Sequence, residues 1–439
     1  MRLPDYHKIL KMLPPSPILS PRPQERLEGR ILSVGTTMLR AYLPGIGLGE
    51  LCTLPDGNTA EVVALEGEQA FLTPYREPQG LACGTLISPT GEQARIGVGP
   101  ALLGRVVDSL GRPVDRFPDL TIERWQSLES EPPEPLSRTL IDSPLPTGVR
   151  AIDATLTIGE GQRLGIFAPA GCGKSTLLGM VAANSEAEVV VVALIGERGR
   201  EVREFLELVM TPDLRERSVV VLATSDRPAL ERLKAAATAT TIAEYFRDQG
   251  RRVLLLVDSL TRYARAIREI ALATGEPIVG SGYPPSLYAR LPRLLERAGP
   301  ATRGSITAFY SVLMEEKNDP LAEEVRSLLD GHIVLSRSLA EANHYPAIDI
   351  LASISRVMNQ ITTRAHQEAA SRLRHLLAAW QEVELLVRVG EYKEGEDLET
   401  DDAIARRPAI TAFLCQSVDE PVSLSQTLAT LSDTVGLPC

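Results

Sequence analysis

Two textures divide the chain. From Gly29 to about Ile96, short apolar stretches (GRILSVG, GELCTLPDGNTAEVVALEG, QAFLTPY) are broken every few residues by Gly, Pro or Asp-Gly. Strands this short, with turns this frequent, predict a small antiparallel barrel. Around Leu110 the pattern changes. GRVVDSLGRPVD, residues 104 to 115, carries two Gly turns, and an acidic, proline-rich connector runs to about Pro146. From Arg163 onward, strand-like runs alternate with helix-like ones. RLGIFA precedes a helix, EVVVVALIGE precedes REVREFLELVM, and SVVVLATS precedes PALERLKAAATATTIAEYFRDQG. RRVLLLVD precedes SLTRYARAIREIALATG, and GSITAFYSVL closes the series. Strands that are apolar throughout are buried on both faces, which predicts a parallel sheet wrapped by helices. Past His366, the residues Leu373, Leu376, Trp380, Val383 and Val387 recur at three- or four-residue steps, the period of a helix. The expected division is a flexible arm (1–24), a β-barrel (25–96), an α/β domain (97–365) and a small helical domain (366–439).

Composition narrows the class. A chain of 439 residues exceeds one ordinary core, and 44% hydrophobic with 23% charged residues is a soluble globular balance. With 4% aromatic residues, the core must be mostly aliphatic. The net charge of −11 argues against nucleic acid as a partner, because a phosphate footprint needs clustered Lys and Arg. The cysteines Cys52, Cys83, Cys172, Cys415 and Cys439 are odd in number and lack CxxC spacing. They read as reduced thiols in a cytoplasmic protein, without a disulfide frame or a zinc site. No apolar run approaches the length of a membrane span. Pro14, Pro15, Pro17, Pro21 and Pro23 break up the N-terminus, so it reads as a proline-stiffened arm and not as a signal peptide. Its apolar positions (Ile9, Leu10, Met12, Leu13, Ile18 and Leu19) suggest docking to a partner or to membrane-embedded machinery. His7, His332, His344, His366 and His375 show no ligand spacing and read as surface or packing residues.

The chemistry gathers at APAGCGKST, residues 168 to 176. It nearly spells the phosphate cradle G-x-x-x-x-G-K-[ST], in the strand–loop–helix context that such a cradle requires. Ala168 stands where the pattern has its first glycine, followed by Pro169, Ala170, Gly171, Cys172 and Gly173. Gly171 and Gly173 let backbone N–H groups turn toward phosphates, and the helix starting near Gly173 aims its positive end at them. Lys174 then reaches the β and γ phosphates, and the hydroxyl of Ser175 ligates magnesium. Thr176 borders the cradle and reads as a helix-packing residue more than as a second ligand. VLLLVD, residues 253 to 258, places Asp258 at the carboxyl edge of a neighbouring buried strand, where it can hold the magnesium shell through water. Glu197, in LIGERGRE, also ends a strand at the edge where ligands collect in open α/β sheets. From spacing alone it is either a carboxylate that polarises the attacking water or a surface charge in an Arg/Glu-rich turn.

GERGREVREF, VDSLTRYARAIREIAL, GYPPSLYARLPRLLERAG, GSITAFYSVL, LLDGHIVLSR and HYPAIDILASISR resemble the secretion ATPases of type III systems, relatives of the rotary ATP synthase catalytic subunits. The resemblance runs from about residue 28 to the C-terminus. ATSDRPALER and GCGKSTLL are closer to the virulence injectisome branch than to the flagellar one. It implies a RecA-like phosphate-loop core between the barrel and the helical domain, an ATP hydrolase using Mg2+, and an alanine that is ordinary at position 168. It further implies that Glu197 is the water-activating carboxylate and that Arg198 contacts the γ-phosphate. Tyr345 would stack on adenine, and Arg356 would be the arginine finger entering the neighbouring subunit's site. One chain would carry both Glu197 and Arg356, so a ring of identical subunits would have complete sites at every interface. The implied partners are a homohexamer, central-stalk and peripheral regulator proteins, an export-gate membrane protein and chaperone–effector complexes, at the cytoplasmic face of the inner membrane.

Two rivals share the core. A hexameric nucleic-acid translocase would want a basic channel and a barrel with exposed aromatics, whereas residues 29 to 96 offer Tyr42, Phe71 and Tyr75 with few basic residues. A non-catalytic ring subunit would typically lack the lysine or the glutamate, and Lys174 and Glu197 are both present.

Overall fold

The computed structural model describes residues 28–279, 282–314, 319–395 and 397–437; the arm expected at 1–24 lies outside them. Six short strands follow: β1 (Gly29–Val34), β2 (Leu39–Tyr42), β3 (Glu50–Thr53), β4 (Thr59–Glu66), β5 (Gln69–Pro74) and β6 (Leu86–Gln93). They close antiparallel into a barrel in the order β1-β2-β5-β4-β3-β6. Alternation along each strand turns Ile31, Leu39, Ala41, Val62, Leu72 and Ile87 inward, all at most 1% exposed. This barrel core is aliphatic, as the low aromatic content demands.

Next, β7 (Arg95–Val98) leaves the barrel to pair with β9 (Arg124–Ser127), while β8 (Val106–Val107) joins the edge of the main sheet. That sheet contains β10 (Arg163–Ala168), β11 (Val189–Ile195), β12 (Ser218–Ala223) and β13 (Arg252–Asp258). It also contains β14 (Gly299–Pro300), β15 (Ser305–Leu313), β16 (Gly331–Leu335) and β17 (Ile348–Ser355). Its order is β17-β16-β10-β15-β13-β11-β12-β8, with the short β14 on β15. All seven residues of β11 and six of seven in β13 are buried. Such uniformly apolar strands need helices on both faces, and they have them. Helices Ala229–Asp248, Leu260–Ala273 and Pro285–Glu296 cover one face, and Arg150–Thr155 and Lys174–Asn184 cover the other.

The strand series does not close at GSITAFYSVL. β16 pairs parallel with β10, and β17 adds an antiparallel edge. Reversal of that last strand decides where Arg356 lies. Gly331 pairs with Ser355 and Gly165 with His332, so the chain leaves β17 at the amino-terminal edge of the parallel strands.

The C-terminal helices Arg364–Val389, Leu398–Leu414 and Leu424–Val435 are capped by Thr363, Asp397 and Ser423, whose side chains accept first-turn N–H bonds. Leu373, Ile410, Phe413 and Leu431 pack in the same buried cluster as Ile152 and Leu156. Arg150 fastens the join, donating from its backbone N to Gln416 Oε1 at 2.8 Å and from Nε to the Phe413 carbonyl at 3.0 Å. At the other end, the barrel is tied down by a buried ion pair. Lys234 Nζ lies 2.8 Å from Glu61 Oε1 and 3.2 Å from Glu129 Oε1, and the Tyr75 hydroxyl donates to Glu61 Oε2 at 2.9 Å.

Candidate nucleotide site

The loop of residues 169 to 173 leaves β10 at the carboxyl edge of the sheet. Gly171 and Gly173 both have φ of +82°, a conformation that costs an ordinary L residue about 1–2 kcal/mol. Gly173 is the N-cap of helix Lys174–Asn184, so the unpaired N–H groups and positive end of that helix face the loop. Ala170, Gly171, Ser175 and Thr176 form an exposed lip above buried Cys172. Thr176, read as a packing residue, stands on that lip because the helix buries the next position, Leu177, instead. Ala168 is fully buried in one cluster with Ile166 and Leu164, two and four positions earlier on the same strand face. Its methyl therefore packs into the core and leaves the cradle clear.

Two carboxylates meet the lysine. Asp258 ends β13, where its partner in β11 is Leu194, so its side chain emerges beside the residues leading to Glu197. The Lys174 ammonium pairs with Asp258 Oδ1 and lies 3.9 Å from Glu197 Oε1. Ser311 on β15 donates to Asp258 Oδ1 at 2.7 Å. Glu197 follows Gly196, whose φ is +67°, and its Oε1 is buried without a hydrogen-bond partner. Burial first, then the charge of Asp258, push the Glu197 carboxyl up to about 7, while Lys174 and Arg262 pull it down. A carboxyl there is balanced between holding and releasing a proton near neutral pH, as a general base requires.

Arg262 is the residue that sequence reasoning missed. It stands on the first turn of helix Leu260–Ala273, with its Nε buried and unpartnered. A Cβ on Gly196 would come within 3.0 Å of Arg262 Cβ, so the glycine is what lets the arginine stem lie against the end of β11. The available signal was its position four residues after Asp258, one helical turn beyond a strand-ending acid.

The other expected residues divide. The Tyr345 ring stands beside the loop, 3.4 Å from where a Gly173 Cβ would be, and the residue is 41% exposed. Its backbone carbonyl accepts the Gln416 N–H at 2.9 Å, which ties the chain at Tyr345 to the segment after helix Leu398–Leu414. Arg198 is not brought into the cluster; it is 73% exposed, with Nη1 3.9 Å from Glu201 Oε1. Arg356 is not brought in either. Its backbone N donates to the Asp330 carbonyl at 3.0 Å, and Asp330 pairs with Arg163 at the start of β10. The length of β10 then separates Arg356 from its own chain's phosphate loop, roughly 16 Å at 3.3 Å per residue.

These residues fit a magnesium nucleotide. Among the described residues, no group of three or more His, Cys, Asp or Glu could hold a metal ion alone. Mg2+ suits such a place because it is commonly held by one or two protein oxygens plus substrate phosphates. Ser175 and Asp258 have the oxygens that would hold it, the lip has N–H donors for phosphates, and the Tyr345 ring could receive a base. Beneath helix Lys174–Asn184, a chamber of about 410 Å³ opens from Glu197 and Asp258 and is walled by Leu178, Val192, Phe205 and Leu208.

Comparison with known proteins agrees with this architecture. The family pattern described as ATP synthase alpha/beta family, nucleotide-binding domain, matches residues 148–355, and that of the T3SS EscN ATPase C-terminal domain matches residues 362–433. The SPI-2 type 3 secretion system ATPase of Salmonella typhimurium is 55% identical over 397 residues, covering 89% of this chain and 91% of the relative. The chain belongs to the type III secretion ATPase family. It is an ATP-hydrolysing enzyme of a type III secretion system. The flagellum-specific ATP synthase of Bacillus subtilis is 47% identical, with 93% of this chain and 95% of the relative covered. The structure of assembled EscN from enteropathogenic E. coli superposes with a TM-score of 0.91 at 51% identity, covering 93% of this secretion ATPase and all of that chain.

Proposed function

We propose that this secretion ATPase works as a homohexameric ring in which every catalytic site is built from two copies. One copy supplies Lys174, Ser175, Asp258, Glu197 and Tyr345, and the next supplies Arg356. The observation that carries this reading is the placement of Arg356 at the sheet edge opposite its own phosphate loop, with no ion-pair partner among the described residues. An arginine so placed serves no site in its own chain, and a neighbour rotated around a ring can present it to the next one. The superposition on the assembled form of EscN supports the same arrangement.

Within the site, the loop N–H groups and Lys174 bind the β and γ phosphates, and Tyr345 orients the adenine. Ser175 and, by way of water, Asp258 would hold Mg2+, which would supply neutralisation of phosphate charge. Glu197, whose Oε1 lacks a donor, orients the attacking water and takes its proton. Arg198 and Arg356 stabilise charge on the transferred phosphoryl group once the ring and nucleotide are in place.

The ring is assigned to the injectisome branch, on the 55% and 53% identity to two type 3 secretion system ATPases against 47% to the flagellum-specific one, and to the cytoplasmic face of the inner membrane. Among the described residues, no helix is long and apolar enough to cross a membrane. A structure of EscN with its central stalk EscO supports a stalk protein as partner. Peripheral regulators, the export gate and chaperone–effector complexes complete the proposed set. The proposed division is arm 1–24, barrel 25–96, ATPase core 97–365 and helical part 366–439. ATPase rate measured against protein concentration, with mass recorded alongside, tests the ring. Specific activity should rise as hexamers form, and a rate per chain independent of concentration while the mass stays monomeric would overturn the reading.

A further inference from the structure

The chamber beneath the phosphate-loop helix has an unusual wall. Helix Gly199–Glu204 widens into a π-helix over Phe205–Val209. In an α-helix, a residue three positions after a buried one lies about 60° from it. Here the wider winding carries Leu208 further round, away from buried Val202 and Phe205, and leaves it 79% exposed at the chamber's rim. A bare leucine over a half-open apolar chamber is a surface that gains by being covered.

The complementary side chain lies beside the finger. Along β17 and just past it, Ala352, Ile354 and Arg356 are all exposed and two residues apart, so they share one face. Ile354 is 47% exposed, and its Cα precedes that of Arg356 by roughly 6.6 Å. The chamber begins at Glu197 and Asp258, where an entering Arg356 would arrive. Its volume exceeds what one isoleucine side chain fills.

We infer that Ile354 of each copy seats against Leu208 and the π-helix wall of the next copy, as an apolar anchor that aligns the arginine finger. The occupant is a second copy of this chain, so the inference rests on the shared-site reading above. Ile354 and Leu208 position Arg356 and touch neither nucleotide nor reacting atoms. Covering the chamber on assembly also shuts bulk solvent out of the site while leaving room for the one water that Glu197 orients.

Cross-linking between copies tests the contact. In a background with Cys83, Cys415 and Cys439 replaced by Ser and shown by mass to form rings, Leu208→Cys is mixed with Ile354→Cys and treated with a short bismaleimide. A covalent dimer should form from the mixture and from neither variant alone. Leu208→Ala and Ile354→Ala should each raise the protein concentration at half-maximal specific activity by about tenfold. The double variant should do little more than either, because both remove one contact. Both positions are exposed, so the chains should fold and bind nucleotide as monomers. Assembled rings without the cross-link, or a half-maximal concentration unmoved by either truncation, would overturn the inference. If Arg356→Ala mixed with Lys174→Ala still regains activity in that case, only the anchor fails and the shared site stands.

Discussion

At Lys174 and Glu197, binding and chemistry can be taken apart. Lys174 places a positive charge between Asp258 and Glu197, and on the proposed reading at the phosphates, so Lys174→Ala should abolish hydrolysis while far-UV circular dichroism still reports the parent fold, even though stranding the buried Asp258 lowers its stability. Turnover near the parent rate would remove the loop from the mechanism. Glu197→Gln keeps the shape and deletes the charge of a carboxyl that burial and Asp258 hold at about 7. ATP should still bind, measured by titration calorimetry, while turnover falls by about 10²-fold or more. A parallel loss of binding and turnover would make Glu197 structural. Lys174 and Asp258 were legible in the sequence because each is bound to an element whose pattern is unmistakable, a loop after an apolar strand and an acid ending one. Glu197 needed the resemblance, since its spacing alone left a surface charge equally open. Ser311 was hidden because it meets the cluster from another strand, through sheet register that no local pattern encodes, and Arg262 left only its four-residue spacing from Asp258 as a mark. The orientation of the Ala168 methyl required the phase of β10 against its neighbours.

Among elements, the sheet was the most legible, because five apolar runs could only be buried strands. Its edges were not. β8 is two residues long, β16 is half-buried, and β17 alternates, so none has the continuous apolar signature. The π-helix likewise reads as an ordinary helix in REVREFLELVM, since one extra residue per turn leaves little mark in the sequence. How the barrel holds to the ATPase core depends on a charged pair that composition would place at the surface. Lys234 is 4% exposed on helix Ala229–Asp248 and binds Glu61 of β4 and Glu129. Removing one member of a buried pair strands the other's charge, at a cost of about 3–5 kcal/mol. Lys234→Met should therefore lower the urea midpoint of unfolding markedly, and Glu61→Leu added to it should recover much of the loss. If the single variant unfolds like the parent, the barrel is held by its apolar contacts instead.

For the whole molecule, the question is whether one chain suffices. Arg356 leaves β17 at the far edge of the sheet, and on the proposed reading its charge acts on phosphates held by another copy of Lys174. Arginine fingers supplied from outside contribute about 10³–10⁵ in rate, well beyond the 0–1 kcal/mol typical of an exposed ion pair. Arg356→Ala should assemble, bind ATP and hydrolyse almost none. Lys174→Ala should assemble and be equally idle for the opposite reason. Mixed under conditions where subunits exchange, the two should regain part of the parent activity, because some interfaces then pair an intact cradle with an intact finger. In a hexamer assembled at random from equal parts, about a quarter of interfaces have that pairing, and the recovered rate should change with the mixing ratio and peak near equal amounts. A mixture as idle as either parent, with subunit exchange confirmed by mass, would show that the site is not shared. An Arg356→Ala monomer that hydrolyses ATP at the parent's assembled rate would remove the ring from the mechanism altogether, since the finger would then have no work to do and each chain would be complete alone.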